Sequence, residues 1–459
     1  MMKQHLQKFI CSRAFMKAVL AVTVPLMLQQ LIASSVNLVD NLMVGMLGDA
    51  ALAGVAAVNR YYMIALYGTT GLCAAASVFI AQYCGANEQE HMKESFRTMI
   101  LVACVIMVVF SMLAVCFPSV IVGFFTSDAA VIAQGVSYIR VVAWSFIPTA
   151  VTLSVYNAMR SVGETKVPLR CSVVAVLTNT FLNWCFIFGN CGMPKMGVAG
   201  AALATLISRV LELTLSLVAL YRTPFDFKTK LTELFVIPKE IFKKIIVKAA
   251  PLMLNEVLWS SGMAMLFKFY SYRGSDVMSA YSISTTVSDI FFTLFAGMAA
   301  ASTVFISQPL GADKLDQAKE NGYHLIGFSF LLALIFGVAM FSASYLVPYL
   351  YSQVSMETKM MSQNFLRIQS VMFWIYMITT QCYFTLRAGG DMKHTLIMDS
   401  GFMWLINIPI VAFVTYCTGF SYIWIYLFGQ MTDLVKLAVS YHLVKKEKWV
   451  VNLTAQRDI

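Results

Sequence analysis

The sequence predicts an all-α integral membrane protein with 12 transmembrane helices in two homologous six-helix lobes, and three observations predict it. Hydrophobic residues make up 59% of the 459 positions and charged residues only 12%, against roughly a quarter charged in ordinary globular chains. Apolar stretches of about 20 residues, long enough to cross about 30 Å of hydrocarbon as a helix, recur along the whole chain. The chain also repeats itself. Val24-Pro25-Leu26-Met27-Leu28-Gln29-Gln30 returns as Ala250-Pro251-Leu252-Met253-Leu254-Asn255-Glu256, an offset of 226. Phe79-Ile80-Ala81-Gln82 returns at the same offset as Phe305-Ile306-Ser307-Gln308, and Tyr156, Arg160, Gly163, Glu164 and Lys166 return at 227 as Tyr383, Arg387, Gly390, Asp391 and Lys393. Three blocks in one order imply duplication of a bundle, and the period-2 alternation of a barrel is missing.

The elements follow in order. Spans 1 to 6 are expected at 18–46, 51–82, 98–117, 132–158, 168–189 and 197–220, and spans 7 to 12 at 246–270, 278–308, 322–346, 360–386, 394–416 and 420–443. Pro25 and Pro251 remove a backbone hydrogen bond at equivalent places in spans 1 and 7 and should bend or loosen both helices. Pro148 in span 4 and Pro409 in span 11 have no repeat partner. Small residues crowd Gly197 to Thr205 at the start of span 6, which suits close helix packing. The domains read as residues 1–220, an N-terminal lobe; 221–245, a cytoplasmic linker; 246–444, a C-terminal lobe; and 445–459, a cytoplasmic tail. Within the linker, Lys239 to Ile246 has the pattern of an amphipathic helix at the membrane surface that feeds into span 7. Two lobes of six spans, both entered from the cytoplasmic side, are parallel repeats about an axis along the membrane normal.

The formal charge of +10 is topological. With a cytoplasmic N-terminus, most Lys and Arg, including Lys3, Lys8, Arg13 and Lys17, fall on cytoplasmic segments, and Lys195, Arg273 and Lys359 fall on external loops. This positive-inside bias places both termini in the cytoplasm and excludes a nucleic-acid partner. The first apolar segment lacks a cleavage site and is expected to stay attached. The ten cysteines include no CxxC and no cluster with His at metal-ligand spacing, so no cofactor is expected.

Several residues together resemble the multidrug and toxic compound extrusion (MATE) transporters of prokaryotic type. They are Val39-Asp40, Val44-Gly45 and Gly48 in span 1; the Gln82/Gly85-Ala86 and Gln308/Gly311-Ala312 loops; the Arg160 and Arg387 loops; and Asn179, Asn183 and Phe188-Gly189 in span 5. The resemblance runs from about residue 14 to 445 and implies a V-shaped bilobate bundle in a bacterial-type inner (plasma) membrane that exports amphipathic, often cationic compounds in exchange for a cation. Lipid-linked oligosaccharide flippases share the plan and are the alternative; they would need a wide cationic cavity, and central cations are limited to Arg140, Arg209 and Lys268.

A charge within a span is costly and is a functional candidate by default. Asp40 stands first: its repeat equivalent is Leu266, so one lobe has a carboxylate where the other has none. The resemblance implies that this acid couples transport. Asn179 and Asn183 share one face of span 5; many prokaryotic relatives carry an acid where Asn183 stands, and the loss of that charge disfavours Na⁺. In span 7 Glu256 resembles an acid of the NorM branch, but the span 10 acid of that branch is Tyr376 here, which leaves Asp289 in span 8 as a substitute. The cation-coupling set is thus Asp40, Asn179, Asn183, Glu256 and Asp289, with Thr205 a weaker addition; the substrate-binding set is Asn37, Gln30 and Tyr376. Arg209/Glu212 and Asp433/Lys436, equivalent at an offset of 224 with the sign order reversed, read at i,i+3 as self-neutralising structural pairs.

The expected function is a secondary antiporter working by alternating access, with H⁺ favoured over Na⁺. A lone carboxylate suits a proton, whereas bare Na⁺ needs several oxygens and more negative charge. No Gly-x₄-Gly-Lys-[Ser/Thr] sequence occurs, so ATP hydrolysis is not the drive. The five His residues sit near span ends, and no nucleophile pair or metal cluster marks an enzyme. The partners expected are small amphipathic molecules and membrane lipids, with the protein a monomer. The content of 29 Met, 33 Phe and 20 Tyr fits adaptable binding walls.

Overall fold

The computed structural model describes residues 8–350 and 355–455, and among these it is helical with no strand. Lys3 and the last four residues of the expected tail lie outside the described residues. Twelve long helices occur among the described residues, all of a length to cross a bilayer. Nine of them are also apolar enough to do so by composition. The other three, α7 (Lys239–Tyr270), α10 (Met356–Ala388) and α12 (Tyr422–Lys445), are more polar. Their extra polarity has visible sources: the lysines of the linker run into α7, Gln369 and Gln381 are buried in α10, and Lys436 lies in α12. The segment expected as a separate amphipathic helix is the first part of α7, continuous with the span.

The helices form two compact units. The N-terminal unit holds residues 25–84 and 88–253. It is built from most of α1 (Arg13–Gly45) and α2 (Asp49–Gly85), with α3 (Gln89–Cys116), α4 (Ala129–Ser161), α5 (Lys166–Phe188) and α6 (Val198–Arg222). The inner end of α2, Gly71 to Tyr83, is buried on every side. Its run of Gly71, Cys73, Ala74, Ala75, Ala76 and Ser77 allows this, because small side chains let neighbouring backbones approach closely. A β-carbon at Gly71 would come within 2.8 Å of the Met253 backbone.

The C-terminal unit holds residues 8–24, 85–87 and 254–455. It contains the rest of α7, then α8 (Ser275–Ser302, carried on through a π-helical turn at Thr303–Ser307 to Gly311), α9 (Leu315–Leu350), α10, α11 (Met392–Cys417) and α12. Residues 8–24 pack here: Phe9 lies 5.7 Å from Tyr323 and Phe15 lies 5.3 Å from Phe305, ring to ring. The repeat equivalent of Gly71, Gly297, faces the Thr23 backbone at 2.8 Å from where a β-carbon would stand. The units therefore do not follow boundaries at residues 220 and 246. The chain changes unit at Pro25 and after Met253, next to the two repeat-related prolines, where the missing N–H lets a helix change direction.

Two irregularities set the units apart. In α11, π-helical turns occupy Ile397–Gly401 and Met403–Asn407, whereas the equivalent α5 is a regular α-helix. The turns at 303–307 and 403–407 each end two residues before a proline, Pro309 and Pro409, whose ring removes an i→i−4 bond. Each unit is also closed by a strap that follows its last helix. After α6, Phe227 is fully buried against Phe96 (5.1 Å), and Arg97 donates to Thr229 (2.7 Å) and Glu233 (3.1 Å). After α12, Trp449 is fully buried against Gly322, the repeat equivalent of Phe96, and donates to the Val444 carbonyl at 2.9 Å. The described part of the expected tail is thus docked chain.

Candidate functional site

In the N-terminal unit, α1, α2, α4, α5 and α6 enclose a cavity of about 430 Å³. Helical periodicity decides what enters it. On α1, Gln30, Asn37, Asp40 and Asn41 share the lining face; α5 contributes Asn179 and Asn183; α6 contributes Thr205, Arg209 and Glu212. Tyr62, Tyr138 and Phe146 form an aromatic wall. Five of the expected site residues, Gln30, Asn37, Asp40, Asn179 and Asn183, therefore come together.

Asp40 is half-buried; its hydrogen-bond partners are neutral amides, and Arg209 lies within electrostatic reach. Asn183 Nδ2 donates to Asp40 Oδ1 at 2.7 Å. The end of the Asn179 amide lies 2.8 Å from Asp40 Oδ2. With its nitrogen turned to the carboxylate, Asn179 donates to an ionised Asp40. In that orientation the amide nitrogen lies 2.8 Å from Oδ2 and 3.3 Å from Oδ1.

Deeper in the unit lies a second polar group. Glu212, almost fully buried, takes Arg209 Nη1 at 2.7 Å, the Ser172 hydroxyl at 2.8 Å and the Tyr156 hydroxyl at 3.2 Å. Gln29, one turn past Pro25, donates to Ser172 Oγ at 2.7 Å and accepts from Arg160 at 2.8 Å. The Arg209/Glu212 pair does neutralise itself at i,i+3, as its spacing suggests, but both members also line the cavity.

The C-terminal unit repeats this arrangement with other charges. Asn255, one turn past Pro251, stands where Gln29 stands, and its Nδ2 donates to Asp399 Oδ2 at 3.1 Å and to the Tyr383 hydroxyl at 3.4 Å. Ser400 Oγ donates back to Asn255 Oδ1 at 2.7 Å. Lys436 Nζ meets Asp399 Oδ1 at 2.7 Å. This corrects one reading: Lys436 makes its ion pair with Asp399 of α11, and not with Asp433 one turn earlier on its own helix. Glu256 follows Asn255 on α7, half-buried and within electrostatic reach of Arg387 and Asp399. Asp289 is an exposed residue of α8, and the Tyr376 hydroxyl donates to Gln430. The three residues expected in this unit thus have separate surroundings. Sequence reasoning passed over Asp399, Asn255, Gln29, Ser172 and Tyr156 as site residues. The signal that finds them is the repeat offset of 226 to 227, which sets Asn255 on Gln29, Tyr383 on Tyr156 and Asp399 on Ser172.

A duplicated helical bundle whose in-span carboxylate opens onto a polar cavity defines a membrane transporter, and comparison with known proteins gives the family. The MatE family model matches residues 25–185 and again 251–413, so the chain belongs to the MATE family of transporters and is a multi-pass membrane protein. Among curated relatives, it is 23% identical over 441 residues to the probable multidrug resistance protein YoeA of Bacillus subtilis, covering 94% of each chain. It is 25% identical over 425 residues to a probable multidrug resistance protein NorM of Bradyrhizobium diazoefficiens, covering 89% of this chain and 88% of that one. Its fold matches the crystal structure of a mutant of the Vibrio cholerae MATE transporter VcmN with a TM-score of 0.87 at 16% identity, over 95% of this chain and 98% of that chain.

Proposed function

We propose that this chain is a cation-coupled multidrug antiporter in which Asp40 carries the coupling ion, H⁺ in preference to Na⁺, and the cavity of the N-terminal unit receives the amphipathic substrate. The observation that carries this reading is the setting of Asp40: a carboxylate on the cavity wall whose hydrogen-bond partners are two neutral amides. Uptake of a proton removes the charge offered to a cationic substrate; this is the differential interaction a two-state carrier needs. A Na⁺ site would instead need several oxygens converging on the ion, and with Asn183 donating, Asp40 is the one carboxylate of this constellation. Names of relatives as multidrug resistance proteins support the substrate class, and the Lys/Arg asymmetry supports cytoplasmic termini in a bacterial-type inner membrane.

The test is efflux of an amphipathic cation from proteoliposomes under an imposed pH gradient and, separately, an imposed Na⁺ gradient. The expected result is efflux that follows the pH gradient. Efflux that follows Na⁺ at fixed pH and ignores the pH gradient would overturn the assignment and move attention to Glu256 and Asp289.

A further inference from the structure

The N-terminal cavity holds a fixed cation, Arg209, within electrostatic reach of Asp40. Arg209 lines it with a side chain 42% exposed, whereas the Glu212 side chain beneath is 5% exposed. Glu212 is already met by the hydroxyls of Ser172 and Tyr156 on the oxygen that Arg209 does not touch. A guanidinium has five N–H donors in a planar fork, and among the described residues one of them is engaged, by Glu212. The remaining donors belong to a side chain that opens into a space lined by Asp40, Asn37, Asn59 and Tyr138. Among the described residues Asp40 and Arg209 share this space without an ion-pair contact: Asp40 accepts from Asn183, and Arg209 pairs with Glu212. The repeat supplies no second such cation: Asp433 stands where Arg209 stands.

We propose that Arg209 is a substrate-recognition residue that binds the acid group of amphipathic zwitterions, whose cationic end lies toward Asp40. The proposal rests on the reading of this cavity as the transport site and adds a specificity-determining residue to it. A cavity of about 430 Å³ falls within the usual range for small-molecule sites, roughly 300–1,000 Å³. Opposite charges on separate walls match a molecule with a carboxylate at one end and an ammonium or iminium at the other. A planar carboxylate fits the fork of a guanidinium, and such charge-assisted pairs are the strong hydrogen bonds. When Asp40 takes a proton, the cationic end loses its counter-charge while the acid end keeps Arg209, so the two ends are released in sequence.

A matched pair of dyes tests this in purified protein in nanodiscs, with no gradient applied: rhodamine B, a zwitterion, and its ethyl ester, a pure cation with the same ring system. Fluorescence anisotropy gives the ratio of their dissociation constants, which is insensitive to partial loss of folded protein. The unmodified protein should bind the acid more tightly than the ester by about tenfold or more, the scale of one charge-assisted bond. Arg209→Gln should bring the ratio close to one, and Arg209→Lys should leave an intermediate value. The neutral double variant Arg209→Gln with Glu212→Gln should also bring it close to one, which separates loss of the fork from repulsion by an uncovered Glu212. A ratio unchanged by Arg209→Gln, one restored in the double variant, preference for the ester, or no binding of either dye would overturn the proposal. Gradient-driven efflux of a simple cation that persists through such an outcome would leave the coupling role of Asp40 standing.

Discussion

Glu212 and Lys436 occupy equivalent places on the last helices of the two units and carry opposite charges. Around them the two networks keep the same uncharged frame: an amide one turn past a proline (Gln29, Asn255) and a tyrosine on the fourth helix of each repeat (Tyr156, Tyr383). What differs is where the spare charge points. In the C-terminal unit Lys436 closes on Asp399, with both side chains mostly buried (15% and 18% exposed), and the π-helical turn of α11 carries Asp399 and Ser400 onto Asn255. In the N-terminal unit the equivalent of Asp399 is Ser172, so Glu212 is met partly by hydroxyls, and Arg209 is left facing the cavity beside Asp40. A duplicated scaffold has thus kept its hydrogen bonds and moved its charges. Asp399 is tied to a cation of the protein itself, while Asp40 hydrogen-bonds to neutral amides.

The comparison breaks first at Asp40. Asp40→Asn should lower gradient-driven efflux to the level of empty liposomes while the protein still inserts and elutes as a folded species; wild-type rates in this variant would show that the open carboxylate lies elsewhere. Lys436→Met comes next. It uncovers a buried carboxylate, and removal of one partner of a buried pair costs about 3–5 kcal/mol, visible as a fall in thermal stability that Asp399→Asn in the same chain should largely reverse. An unchanged melting temperature would mean that the pair is not closed. Trp449→Ala empties the niche beside Gly322 and should cost about 3 kcal/mol, within the range for buried aromatic truncation; proteolysis of the C-terminal segment would rise with it. Glu212→Gln should cost least, about 1 kcal/mol, because the Arg209 left behind is partly exposed. A loss as large as that of Lys436→Met would erase the distinction between the open and closed networks.

Much of the N-terminal site was legible. An acid inside an apolar span and two asparagines four residues apart on one helix are signals that sequence carries directly, and the structure places Asp40, Asn179 and Asn183 in contact. Gln29, Ser172 and Tyr156 were not singled out, because neutral polar residues in a span look alike until a partner is known. Asp399 was missed for a different reason: it lies near the start of its expected span and reads as a residue of the membrane edge. The helices themselves followed from hydropathy, but the π-helical turns carry no pattern beyond the nearby prolines. The straps at Phe227 and Trp449 have no periodicity at all; they are visible only as aromatics in short connecting segments, Phe227 with Phe225 and Phe235 close by and Trp449 alone.

The most direct measurement is proton release when substrate binds. Purified protein in weakly buffered solution is titrated with an amphipathic cation while a pH indicator records the protons freed. Exchange at Asp40 predicts stoichiometric release in the unmodified protein and in Asp399→Asn/Lys436→Met, and none in Asp40→Asn. Release that survives Asp40→Asn, or that vanishes when the Asp399–Lys436 pair is neutralised, would contradict the assignment of the exchangeable site to the N-terminal unit.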